Sequence, residues 1–175
     1  DQDIGIDPEM LGQIFERMVE EKRKTGTFYT PKEIVHYMCQ ESLICHLRSK
    51  LPECTEDESR ATKAIEQLIR HGDVGDRHDK KNFVAQQGKR IEKHLDAVKI
   101  CDPAIGSGAF PMGMLQEIFH AKVAMDLTLD RAKAKKQIIQ NSIYGVDLEE
   151  GAVDIARLRF WLTLVVEEET PTPLP

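Results

Sequence analysis

The 175-residue chain has no apolar run approaching the roughly 20 residues a bilayer-crossing helix requires, which excludes a helical membrane span. Its start, Asp1-Gln2-Asp3, has neither an initiator Met nor a signal-peptide pattern, so the expectation is a soluble cytoplasmic protein and an excised piece of a longer chain. Excess positive charge is also missing. Residues 1–50 carry 7 basic against 9 acidic side chains, residues 51–95 nine of each, and residues 96–175 8 against 12. Nonspecific affinity for nucleic acid comes mostly from Lys and Arg neutralising phosphates, so this balance argues against tight DNA binding by the chain alone. The four cysteines, Cys39, Cys45, Cys54 and Cys101, form no CxxC pair, which leaves a zinc ribbon or a thioredoxin-type site without support. Reduced, buried thiols are expected instead. The histidines His36, His46, His71, His78, His94 and His120 have no HExxH or comparable spacing, and no metal site is expected. What remains, 41% hydrophobic and 31% charged residues, fits one globular domain or part of one.

Periodicity divides the chain into three textures. Met10, Leu11, Ile14, Phe15, Met18 and Val19 recur at helical spacing from Pro8 to Lys24, and a helix there should stop near Gly26. Gly26-Thr27-Phe28-Tyr29-Thr30-Pro31 then reads as a short extended segment feeding a second helix over Pro31–Ser49, with Thr30 as N-cap, Glu33 closing a capping box, and an apolar stripe of Ile34, Val35, Met38, Leu43 and Leu47. Residues 52–95 are polar and read as a helical insertion. A capping box at Thr55/Glu58 precedes a helix ending at His71-Gly72, residues 72–76 form a loop, and another helix covers Lys81–His94.

After residue 97 the pattern becomes strand, glycine turn, helix, helix, strand, helix. Val98–Cys101 is a strand candidate, Ala109–Met125 a helix, Leu129–Gln140 a basic amphipathic helix, Ser142–Val146 a second strand and Glu149–Glu167 a final helix. This order is the opening half of a doubly wound α/β sheet. The tail from Thr170 to Pro175 cannot propagate a helix and reads as a linker or truncation point.

Two features carry chemistry. Asp102-Pro103-Ala104-Ile105-Gly106-Ser107-Gly108-Ala109-Phe110 sets two glycines at the carboxyl end of the first strand, where a ligand can press against bare backbone and helix-opening amides can donate hydrogen bonds. The dinucleotide pattern GxGxxG would need glycine at position 111, which is Pro111, so a nicotinamide or flavin site is disfavoured. Asp147 ends the second strand and could accept both hydroxyls of a ribose, or simply cap the helix after it. Its distance from Gly108 exceeds the dinucleotide spacing because the basic helix is inserted between them.

Gly26–Pro31, Asp102–Phe110 and Asn141-Ser142-Ile143-Tyr144-Gly145-Val146-Asp147 resemble, in order and character, motifs X, I and II of the gamma class of DNA adenine-N6 methyltransferases. The likeness is to the methylase region of type I modification subunits and of fused type II restriction–modification enzymes, and it covers about residues 10–50 and 97–165. It implies a partial Rossmann-like S-adenosylmethionine-dependent methyltransferase fold, mostly helical, with a short incomplete parallel sheet and a helical N-terminal region. The implied divisions are 1–50 with motif X, 51–96 as a helical insertion, 97–168 as the first half of the α/β domain, and 169–175 as linker.

By this resemblance Thr27, Phe28, Tyr29 and Thr30 would cradle the methionine moiety of S-adenosylmethionine, and Asp102 would approach its ammonium group. Gly106, Ser107 and Gly108 would line the turn beneath the cofactor, with Pro103, Ala104 and Phe110 nearby. Asp147 would take the ribose hydroxyls and Leu148 would lie against the adenine edge. The Asn-Pro-Pro-Tyr tetrapeptide of the class is absent here. The adenine amine is conjugated with its ring and a poor nucleophile, and in the family the Asn side chain and a prolyl carbonyl accept its hydrogens while the aromatic ring stacks on the flipped base.

The expectation is therefore a cofactor-binding fragment of a methyltransferase from a restriction–modification or related phage-defence system, catalytically silent by itself. Its DNA-reading parts should lie beyond Pro175, and a specificity or nuclease subunit or domain is an expected partner. The basic clusters Lys22-Arg23-Lys24 and Arg131, Lys133, Lys135 and Lys136 read as solvated helix faces. An incomplete sheet should leave apolar surface exposed and favour dimerisation. The alternative is a noncatalytic, methylase-like assembly module, which a stop or a degenerate motif soon after Pro175 in the encoding gene would favour.

Overall fold

The computed structural model describes residues 30–54 and 59–166. The helix expected over residues 8–24, the segment Thr27-Phe28-Tyr29, the Thr55/Glu58 capping box and the proline-rich tail lie outside the described residues. Within them the order is α1 (Lys32–Lys50), a single 3-10 turn (Pro52–Cys54), α2 (Arg60–His71), α3 (Phe83–Ala97), β1 (Ile100–Asp102), α4 (Ala109–Met125), α5 (Arg131–Ser142), β2 (Ile143–Gly145) and α6 (Glu150–Val165). Every helix and strand expected from residue 31 onward is present, with ends shifted by up to four residues; the largest shift is the start of α2, capped by Ser59 and not by Thr55.

α1 starts differently from the expectation. Pro31 is its N-cap, with ψ at 140°, and no side chain caps the helix. The N–H groups of Ile34 and Val35 both reach the Pro31 carbonyl, at 3.0 and 3.1 Å. The extended ψ of Pro31 delays helical geometry to Lys32, which leaves the Thr30 hydroxyl outside the cap and Glu33 exposed. The buried stripe also differs. Val35, Cys39, Gln40, Leu43, Ile44 and Leu47 are buried, whereas Ile34 and Met38 are each 48% exposed. Apolar side chains occur on both sides of this helix, so its packing partner selects the buried face.

That partner is α4. A Cβ placed on Gly113 would lie 2.8 Å from Val35 Cγ1 and 2.9 Å from Cys39 Sγ, so the missing side chain is what lets α1 approach. Polar groups pin the same crossing. Glu117 of α4 is buried, its Oε1 2.6 Å from His36 Nδ1, while its Oε2 accepts from Gln40 Nε2 at 3.2 Å. A carboxylate with this little solvent needs such donors, because burying it unpaired would cost several kcal/mol.

α2 begins with Ser59, whose side chain accepts from Thr62 N–H, and it ends at Gly72 as expected. Asn82 caps α3 and Asp130 caps α5 by the same geometry, accepting from Ala85 and Lys133 N–H. Ile65, Leu68, Ile91 and Leu95 of α2 and α3 join Leu43, Leu47, Leu115 and Ile118 in one apolar cluster. The polar segment 52–95 thus supplies part of the core through the inner faces of two amphipathic helices.

The two strands pair in parallel, Ile100 opposite Ile143, Cys101 opposite Tyr144 and Asp102 opposite Gly145. They are shorter than expected because the preceding helices run almost directly into them. Ser142, expected to open the second strand, is the last residue of α5, and Val98 is the C-cap of α3. Tyr144, Val146 and Leu148 are exposed around β2. The basic face of α5 is not simply solvated. Arg131 and Lys135 sit 5.0 and 4.7 Å from the centroid of the buried Phe119 ring.

The expectation of four buried thiols fails for two of them. Cys39 and Cys54 are buried, whereas Cys45 and Cys101 are exposed, one on the outer side of α1 and the other in the small sheet. Burial, with the nearby Glu117 charge, pushes the Cys39 thiol up to about 12. Native-state labelling with a thiol reagent at pH 8 should modify Cys45 and Cys101 and spare Cys39 and Cys54 until denaturant is added. In urea unfolding, Gly113→Val should cost about 1–3 kcal/mol, the usual range for overpacking a tight contact.

Candidate functional site

The glycine turn Ile105–Gly108 connects β1 to α4 at the carboxyl end of the sheet. Ile105 accepts from Gly108 N–H at 2.8 Å, closing the turn, and Met112 N–H makes the first bond of α4 to Gly108 O at 3.0 Å. Gly106 and Gly108 have φ of 52° and 86°, the left-handed region that side chains with a Cβ rarely adopt. The two differ in their surroundings. A Cβ on Gly108 would lie 3.1 Å from Ala156 Cβ of α6, whereas a Cβ on Gly106 would meet nothing within 4 Å. Gly108 is therefore packed against protein, and Gly106 faces open space.

The loop after β2 is stitched to this turn by three hydrogen bonds. Val146 N–H donates to Asp102 O at 3.0 Å, and Ile105 N–H donates to Val146 O at 2.9 Å. Gly106 N–H donates to Asp147 Oδ2 at 2.8 Å. The other carboxylate oxygen, Oδ1, accepts from Glu149 N–H at 3.0 Å. Gly145 permits the close approach: a Cβ there would collide with the Ile105 side chain. The backbone donors of Glu149 and then Gly106 hold the Asp147 carboxyl below the usual carboxylate range.

Asp147 does not cap the following helix. The N-cap of α6 is Glu149, without a side-chain bond, and Asp147 instead turns the loop and ties it to Gly106. An ionised carboxylate has about four acceptor sites, so two are committed here and the remainder could receive further donors. Asp102 is half-buried, and its Oδ1 accepts from Ala104 N–H at 3.0 Å, a local turn that shapes the chain leaving β1. Pro103 and Ala104 are exposed at this rim, Ser107 is buried behind it, and Phe110 is half-buried against the core. Leu148 is fully exposed beside Asp147. Thr30 is half-buried just before α1.

Tertiary structure thus gathers Asp102 to Gly108 with Asp147 and Leu148 at one end of the sheet. Cys39 Sγ, 3.5 Å from Phe110 O, ties α1 to the first turn of α4. Sequence reasoning missed Arg159. This buried α6 residue donates from one terminal nitrogen to Ser107 O at 2.8 Å and Ser107 Oγ at 3.3 Å. A signal existed, since a cation sits in the stripe Ala156, Arg159, Phe160 and Thr163, a spacing that otherwise reads as a buried helix face. No group of His, Cys, Asp and Glu suited to a metal occurs among the described residues. None of the described helices is long and apolar enough to cross a membrane.

This arrangement places the chain among α/β proteins that gather their glycine turn and acidic loop at the carboxyl ends of parallel strands, the usual position for ligands in such sheets. The chain belongs to the family described as MmeI, DNA-methyltransferase domain, whose model matches residues 77–170, more than half of its length. It is also similar to a protein of Methanocaldococcus jannaschii whose name describes a type II restriction enzyme and methyltransferase, with 27% identity over 184 residues. That alignment takes in 94% of this chain and 14% of the relative, so the chain spans about a seventh of the relative's length. No solved structure matches the chain.

The depressed carboxyl of Asp147 has a consequence for stability. Its contribution is present above the ordinary value of 3.8 and is lost as the pH falls through the lower folded-state value. Asp147→Asn should therefore be less stable than the parent chain at pH 7, with the gap narrowing on acidification below about 4, as read from urea unfolding at a series of pH values.

Proposed function

We propose that this chain is the cofactor-binding portion of a DNA methyltransferase that transfers a methyl group from S-adenosylmethionine to N6 of adenine within a restriction–modification system. The observation carrying this reading is the stitch between the glycine turn and Asp147, together with the family membership. The residues fit the cofactor. Gly106 offers backbone beside open space, Asp147 keeps acceptor capacity toward a ribose diol, and Leu148 offers an exposed apolar side chain for an adenine face. Asp102 supplies a carboxylate for an ammonium group, and Pro103, Ala104, Ser107, Gly108 and Phe110 complete the lining. Thr27, Phe28, Tyr29 and Thr30 belong to the same proposal as the wall over the methionine end. When bound, S-adenosylmethionine supplies an electrophilic sulfonium methyl.

In this reading β1 and β2 begin a larger Rossmann-like sheet, residues 97–168 are its first half, 1–50 carry the motif X wall and 51–96 are a helical insertion. The acceptor-base site and the DNA contacts belong to the remainder of the parent protein, so the piece alone binds cofactor and does not methylate. A specificity or nuclease partner, and pairing of copies through the exposed apolar residues near β2, are parts of the same proposal.

Isothermal titration of the folded chain with S-adenosylmethionine should give one-site heat, weakened at least ten-fold by Asp147→Ala and by Asp102→Ala. No heat at millimolar ligand in a folded sample would remove the cofactor assignment and leave the family membership standing.

A further inference from the structure

α6 presents Ala156, Arg159, Phe160 and Thr163 as its buried face, and that face lies directly behind the glycine turn. Ala156 and Phe160 pack on Gly108, at 3.1 and 3.9 Å from a Cβ placed there, while Arg159 reaches the Ser107 carbonyl and hydroxyl. A guanidinium that is 8% exposed is costly to desolvate, and an apolar side chain of similar volume commonly serves a core equally well. The position of its bonds explains why a cation is there. A trans peptide points its C=O and N–H in opposite directions, so fixing the Ser107 carbonyl toward α6 fixes the Gly108 N–H toward Ile105 O, where it bonds at 2.8 Å.

The turn contains two glycines in the left-handed region, Gly106 and Gly108, and free glycine backbone has many alternatives. Asp147 holds it from the front through the Gly106 amide, and Arg159 holds it from behind through Ser107. Immediately after these anchored residues come the Ala109 and Phe110 amides, which open α4 ahead of the first intrahelical bond.

We propose that Arg159 is a positioning residue, acting through Ser107, that locks the 105–108 turn in the shape required to receive S-adenosylmethionine. The inference rests on the cofactor reading above. Arg159 does not touch the ligand; it removes turn conformations that binding would otherwise have to exclude.

The test uses the full-length protein carrying this chain and two substitutions, Arg159→Met, which keeps a long apolar stem, and Arg159→Lys, which keeps the charge without the planar fork. Without cofactor, hydrogen exchange of segment 104–110 should accelerate at least ten-fold in Arg159→Met, with exchange of α2 and α3 unchanged. Calorimetry should show S-adenosylmethionine bound at least ten-fold more weakly by Arg159→Met and with intermediate affinity by Arg159→Lys. Unchanged exchange at 104–110 together with unchanged affinity would overturn the proposal, as would a uniform rise in exchange over the whole chain, which marks a merely structural residue. If Arg159→Met does not fold, Arg159→Lys decides, and parent-like exchange and affinity in that variant overturn the proposal. Absence of cofactor binding in the unsubstituted protein would overturn the cofactor reading itself, an outcome distinct from tight parental binding that the substitutions leave unaltered.

Discussion

The clamp on the turn between β1 and α4 is the constraint on which the rest of the site depends. Two left-handed glycines make the turn possible, and the bond from Gly108 N–H to Ile105 O closes it, but glycine backbone has many alternatives unless partners outside the turn hold it. Its shape is imposed by a carboxylate two residues beyond β2 and a guanidinium in α6, both far away in sequence. Because both groups are charged, each bond is stronger than a neutral one, and each requires its own element to be in register. The parallel pairing of β1 with β2 sets that register, since a slip would carry Val146 and Asp147 away from Asp102 and Gly106.

The helices make this clamp rigid. α4 carries the turn's downstream end and is gripped on another side by α1, through the Gly113 contact and the Glu117 cluster. α1 directly follows the stretch resembling motif X, so the α1–α4 crossing connects the two halves of the proposed cofactor wall. α2 and α3 support the crossing from below with fully buried Ile65, Leu68, Ile91 and Leu95. The segment that carries no motif thus has a mechanical role, holding in place the helices that do.

Charge has a comparable division of labour. Buried ionic groups, Glu117, Lys122 and Arg159, link pairs of elements: α4 to α1, α4 to α3 through Asp96 at 2.6 Å, and α6 to the glycine turn. Such pairs add little net stability over apolar packing, but each is satisfied only in one relative placement of its elements. The basic side chains on α5, which the sequence alone reads as a solvated face, are partly engaged by the protein itself, because Arg131 and Lys135 lie over the Phe119 ring.

The sequence alone determined the element order, the glycine turn, the acidic residue after β2 and, through its three motif-like stretches, the family, because all of these are written in local spacing and residue type. Tertiary structure decided the rest. It chose Cys39 and Ile44 over Ile34 and Met38 for the buried side of α1, since a helix with apolar residues on two faces has no preference until α4 meets it. It moved the start of α1 past Thr30, because Pro31 adopts an extended ψ. It excluded the cap that the sequence left open for Asp147 beside a ribose contact, made that residue a tie across two loops, and set Arg159 behind Ser107, contacts 41 and 52 residues apart in sequence. No local pattern specifies a bond of that span; it exists only once parallel strands and packed helices have brought the two loops together.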